Sequence, residues 1–150
     1  MQEKYAPNSV CYGCGPKNPE GLHISSRPDG DTLVAEWTPG PNHAAFSNFA
    51  SGGIVSVLLD CQGNWTAAYT LMKERGLDNP PGTVTAEYTV RFLKPTPMSG
   101  PWRIRAWPTK VEGDKVSVEG TVEAEGEGTA SMKGLFVAVK PGHPAFHRWR

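Results

Sequence analysis

One carboxylate in this chain stands where a carboxylate is costly. Asp60 lies within Ile54-Val-Ser-Val-Leu-Leu-Asp60-Cys-Gln-Gly-Asn-Trp65, a stretch apolar on nearly every face of a helix. Ile54, Leu58, Cys61, Trp65, Ala68 and Met72 form one stripe at helical spacing, and Val55 and Leu59 widen it. Ser56, Asp60 and Asn64 make a thin polar line against that stripe. Asp60 sits roughly two turns into the helix, where the positive end of the macrodipole no longer supports it. Burying an unpaired carboxylate costs several kcal/mol. Asp60 is therefore expected to face a polar cavity or to be tied by donors; the apolar surroundings leave little room for a solvated face. A carboxylate held in a pocket is therefore the functional reading of this position. Gly52-Gly53, just ahead of the helix, adds a second feature. Amide N–H groups at a helix start have no partner within the helix, and glycine lets a ligand approach them closely. They suit an anion or an oxyanion.

The elements that position these groups follow from period and punctuation. The spacing predicts one long helix, Ile54 to Arg75, closed by Gly76. Two short β runs precede it, Leu22–Ser26 and Thr32–Trp37, with Pro28-Asp29-Gly30-Asp31 as the turn between them. Four follow: Val84–Leu93, Trp102–Trp107 continuing towards Val111, Val116–Ala124 and Thr129–Val139. Residues 1–21 read as an irregular loop, 38–53 as another, and 141–150 as a polar tail. Consecutive strands with short turns favour antiparallel pairing, and a helix apolar all round must be buried. The expected class is α+β: one domain, 1–150, with a curved antiparallel sheet wrapped around a central helix.

Composition excludes several classes. Lys+Arg and Asp+Glu are 15 each, so there is no basic excess for nucleic acid or a membrane surface. No apolar run reaches the ~18 residues of a membrane span. The N-terminus shows no secretory apolar segment, and three cysteines, an odd number, suit a reducing compartment; a cytoplasmic location is expected. Cys11-x-x-Cys14 has the spacing of half a zinc site, but there is no second pair and the four histidines are not spaced to complete it. A packed loop is the expectation there, with no metal and no cofactor. A thioredoxin-like role lacks its βαβ context, and a serine hydrolase lacks its Gly-x-Ser-x-Gly elbow. His143 and His147 are expected as surface or packing residues, and Trp65 as core.

Ser51-Gly52-Gly53-Ile54-Val55-Ser56-Val57-Leu58-Leu59-Asp60 resembles the helix start of hotdog-fold acyl-CoA thioesterases, the phenylacetyl-CoA-thioesterase-like group of the 4-hydroxybenzoyl-CoA-thioesterase superfamily. Thr83 to Pro95 is similar to the strand that follows that helix, and Cys11-Tyr-Gly-Cys14-Gly15 with Asn18-Pro-Glu-Gly-Leu22 to an N-terminal loop in one branch. The resemblance implies a hotdog fold, a dimer or dimer of dimers, and hydrolysis of an acyl-CoA thioester. It assigns Asp60 as the acid that activates water or attacks, Gly53 as the N–H that polarises the thioester carbonyl, and Thr85 as a support for the acid. Ser51, Gly52 and Asn64 are expected around the substrate, and Arg91 and Lys94 near the CoA moiety. The family's His before the glycines is Ser51 here, a residue suited to cap the helix, and the acid that often follows the Asp is Cys61. A non-catalytic acyl-thioester binding protein is the alternative that the loss of that His leaves. A hotdog hydratase is weakened because no His lies between His43 and His143.

Spacing along the helix adds a constraint of its own. Gly53 and Asp60 are about 10 Å apart along the axis at ~1.5 Å per residue. An oxyanion donor and an attacking water must both approach one reacting centre within roughly 3 Å. One helix hardly supplies both; two antiparallel copies across a twofold axis do.

Overall fold

A computed structural model describes residues 1–150. The helix and five of the six β runs form at the expected places. The long helix, α2, spans Gly52–Glu74, after a one-turn helix α1 at Gln2–Tyr5. The strands are β1 Arg27–Asp29, β2 Thr32–Trp37, β3 Ala44–Phe46, β4 Phe49–Ala50, β5 Thr83–Phe92, β6 Trp102–Glu112, β7 Lys115–Ala124 and β8 Glu127–Ala138. Six of them make one antiparallel sheet in the order β1-β2-β6-β7-β8-β5, which packs against α2; β3 and β4 form a separate small hairpin. This is the sheet-around-helix arrangement of the hotdog fold.

Alternation explains the sheet. Along β7, Val116, Val118, Gly120, Val122 and Ala124 point inward and are buried, while their neighbours are partly or fully exposed. Phe136 and Met132 of β8 and Ile104 and Ala106 of β6 join them against Leu58, Leu59 and Trp65 of α2. Gly63 is what lets α2 come so close. A Cβ there would lie 2.5 Å from Phe136 Cζ and 2.8 Å from Met132 Cε.

Several expectations need correction. Leu22–Ser26 is not a strand. Leu22 and Ile24 are buried, but their N–H groups donate to Tyr12 and Gly13 carbonyls in the N-terminal loop, so the sheet edge begins only at Arg27. The helix begins two residues early, because the Ser51 carbonyl accepts from Ile54 and Val55 and brings both glycines into the first turn. Ser51 does not cap with its hydroxyl. The 1–21 segment contains α1, whose buried Gln2 exchanges hydrogen bonds with Ser26; Ser26 in turn donates to Gln62 of α2. The polar and aromatic tail docks on the core. Trp149 is buried with its ring 4.3 Å from that of Trp65, and its indole N–H donates to Pro81 O.

Candidate active site

The strand β5 runs back along α2, and a bulge sets what it presents. Thr83 and Thr85 face the helix. Register slips between Thr85 and Glu87, so parity changes at Ala86. Past the bulge Phe92 faces α2, close enough that a Cβ at Gly52 would meet its ring at 3.2 Å, and Val90 packs on the core. One strand thereby offers hydroxyls at the level of Asp60 and apolar side chains at the level of the glycines.

The hydroxyls build a chain of donors that ends on the carboxylate. Thr83 Oγ1 donates to Asn64 Oδ1 at 2.5 Å, Asn64 Nδ2 to Thr85 Oγ1 at 3.2 Å, and Thr85 Oγ1 to Asp60 Oδ1 at 2.6 Å. Every bond points the same way, towards the acid, so each polarises the next. Asp60 is partly buried. Burial raises its pKa above the usual carboxylate value; the Thr85 hydrogen bond opposes this, the Cys11 charge adds to it, and Arg148 counters it. The carboxylate is thus held by one donor, on Oδ1, and its other oxygen, Oδ2, takes no hydrogen bond from the chain. Asn64, expected beside the substrate, is instead buried with both ends of its amide engaged, so it positions Thr85. Arg148 is the residue that sequence reading missed. It reaches the site because Trp149 docks the tail, and it donates to Thr83 O at 2.6 Å.

About two turns earlier, at the start of the helix, the Gly52 and Gly53 amides donate to no group in the chain, and Gly53 is exposed. Ser56 Oγ donates back to Gly52 O at 2.8 Å. Beside these amides lies an apolar cleft of about 490 Å³ lined by Phe46, Ala50, Gly52, Val55 and Phe92. Lys94 borders the same cleft but is ion-paired with Glu127, whereas Arg91 is exposed on β5. Ser51 is partly buried at the helix start. Asp60 and Gly53 stand at separate levels of one helix, as spacing requires.

The N-terminal loop brings a further group to Asp60. Cys11, Cys14 and Cys61 converge so that their sulfurs all lie within 4.8 Å of one another. The Cys11-x-x-Cys14 pair lacks a second pair but gains a single partner, from α2. Gly13 makes the approach possible, since a Cβ there would sit 2.3 Å from Cys61 Sγ. Cys11 Sγ lies 3.8 Å from Cys61 Sγ, and sharing of protons within the cluster holds the Cys11 pKa down and pushes those of Cys14 and Cys61 up.

Residues 48–131 match the family model of the thioesterase superfamily. No curated protein sequence matches the chain. Among solved structures, a thioesterase superfamily protein from Shewanella loihica is 27% identical with a TM-score of 0.73, over 93% of this chain and 100% of that one. The PaaI protein of the Escherichia coli phenylacetic acid degradation operon is similar in fold, at 14% identity and TM-score 0.67, over 79% and 81% of the two chains. A Haemophilus influenzae thioesterase aligns at 16% identity and TM-score 0.67, over 81% and 84%. A family model that covers more than half of the sequence, on a fold wrapped in the same way, makes this chain a member of the thioesterase superfamily.

Proposed function

We propose that the protein hydrolyses acyl-CoA thioesters at a site shared by two copies of the chain. The observation that carries this reading is the Thr83–Asn64–Thr85 chain of donors converging on Asp60, a carboxylate in an otherwise apolar helix. Fixing one oxygen orients the other towards a water or a carbonyl carbon. The thioester oxygen, negative in the tetrahedral intermediate, takes the free Gly53 N–H of the second copy, with Gly52 beside it. The apolar cleft next to those glycines suits the acyl group, and exposed Arg91 suits the CoA phosphates. A CoA thiolate leaves readily, so the site needs no dedicated general acid.

Two copies are supported by the sheet edge as well as by helix length. The outer edge of β5 pairs with nothing, and Tyr88, Phe92 and Leu93 on and after it are 38%, 54% and 59% exposed. An unpaired edge of ten residues carrying apolar side chains is a pairing surface. Thiol release from short, long and aromatic acyl-CoAs tests the reading directly. Turnover of one class supports it. Saturable acyl-CoA binding without thiol release from any of them points instead to a binding protein.

A further inference from the structure

We propose that Cys11, Cys14 and Cys61 bind one Zn²⁺ as a three-thiolate site that fastens the N-terminal loop to α2 beside Asp60. The distances favour a metal over a bond between sulfurs. Zinc holds thiolates at about 2.3 Å in a tetrahedron, which places neighbouring sulfurs about 3.8 Å apart. Cys11 Sγ and Cys61 Sγ are 3.8 Å apart, and all three sulfurs fall within 4.8 Å of one another. A disulfide would require ~2.05 Å.

The surroundings are built for charge on sulfur. The indole N–H of Trp65, itself fully buried, donates to Cys14 Sγ at 3.3 Å. Outer hydrogen bonds of this kind orient ligands and tune a metal. Gly15 closes the loop, its N–H donating to Cys11 O at 2.8 Å, with a Cβ there only 2.4 Å from Cys11 N. Soft thiolate ligands select zinc over the hard cations. As the ion enters, the remaining thiol protons leave to solvent and no electron is transferred. Cys14 and Cys61 are buried and Cys11 only partly so, which puts the fourth position, for water, on the side of Cys11.

The test is metal binding by the full-length protein, read without reference to hydrolysis. Protein reduced and stripped with chelator is titrated with Co²⁺, then with Zn²⁺. The expected result is thiolate-to-cobalt charge-transfer absorption that saturates at one equivalent per chain, is displaced by Zn²⁺, and is lost in Cys11→Ser and Cys61→Ser. Cys11 is partly exposed, so its serine variant should keep the fold, checked by circular dichroism; the wild-type titration stands whatever the variants do. Zinc should also raise the melting temperature of the wild type and not of Cys11→Ser. Three free thiols with no charge-transfer absorption overturn the proposal. So does binding that survives in both variants, or peptide mapping that finds two of the three sulfurs as a disulfide in protein with no cobalt affinity.

Discussion

Asp60→Asn separates chemistry from architecture. The amide keeps an acceptor for Thr85 Oγ1, so the donor chain stays intact, but it cannot take a proton from water or attack as a carboxylate. The variant should melt like the wild type and lose kcat by about 10²–10⁴-fold on a chosen acyl-CoA, the scale of a lost general base. Near-full turnover would place the base elsewhere. Thr85→Ala removes one supporting hydrogen bond, ~1 kcal/mol and so about fivefold in kcat, while Thr85→Ser should restore it. Asp60 and Gly53 stand out in the sequence by local pattern, a charge in an apolar helix and glycines at its start, whereas Thr85 is marked only by the family resemblance, since alternation groups it with the outward polar residues of its strand. Arg148 and Cys11 are not legible as part of the site. They reach Asp60 only through tertiary docking, of Trp149 on Trp65 and of the Gly13 loop on Cys61, and no local period records either contact.

At the scale of elements, β5 shows why a strand read by alternation still surprises. Val84, Ala86, Tyr88, Val90 and Phe92 alternate with polar residues, yet it is Thr83 and Thr85 that turn to the helix before the bulge at Ala86 reverses the parity. A single bulge is one residue of register and leaves no mark on hydropathy. Strands with a buried face on the core, such as β7, are legible residue by residue. Segments whose backbone bonds go to a loop, such as Leu22–Ser26, have strand composition without a strand. Gly63 is the contact on which helix and sheet depend. Gly63→Ala would gain about 1 kcal/mol of helix propensity, but its methyl meets the fully buried Phe136 ring at 2.5 Å, and overpacking costs about 1–3 kcal/mol. The overpacking wins. The urea midpoint should fall with an unchanged slope, and Phe136→Leu in the Gly63→Ala background should recover part of the loss.

At the scale of the whole molecule, the question is whether one catalytic centre draws on two chains, and complementation answers it. Gly53→Pro removes the N–H proposed to polarise the carbonyl. The site tolerates the change locally: that N–H has no partner in the chain, a Cβ there meets only Ser51 Oγ at 3.5 Å, and proline is accepted in a first helical turn. Gly53→Pro alone and Asp60→Asn alone should each be nearly inactive as assemblies of one chain type. When the two are unfolded together and refolded, half of the dimers formed at random contain one chain of each. In such a dimer one site joins the intact Asp60 to the intact Gly53, and the other site joins the two defects. The mixture should therefore recover about a quarter of wild-type thiol release, as twofold symmetry requires of a shared site. A site confined to one chain gives no recovery at any mixing ratio, because every chain carries one defect. Sedimentation of the mixture checks that dimers have formed, so an inactive mixture of intact dimers would refute the pairing of Gly53 with Asp60 across the interface.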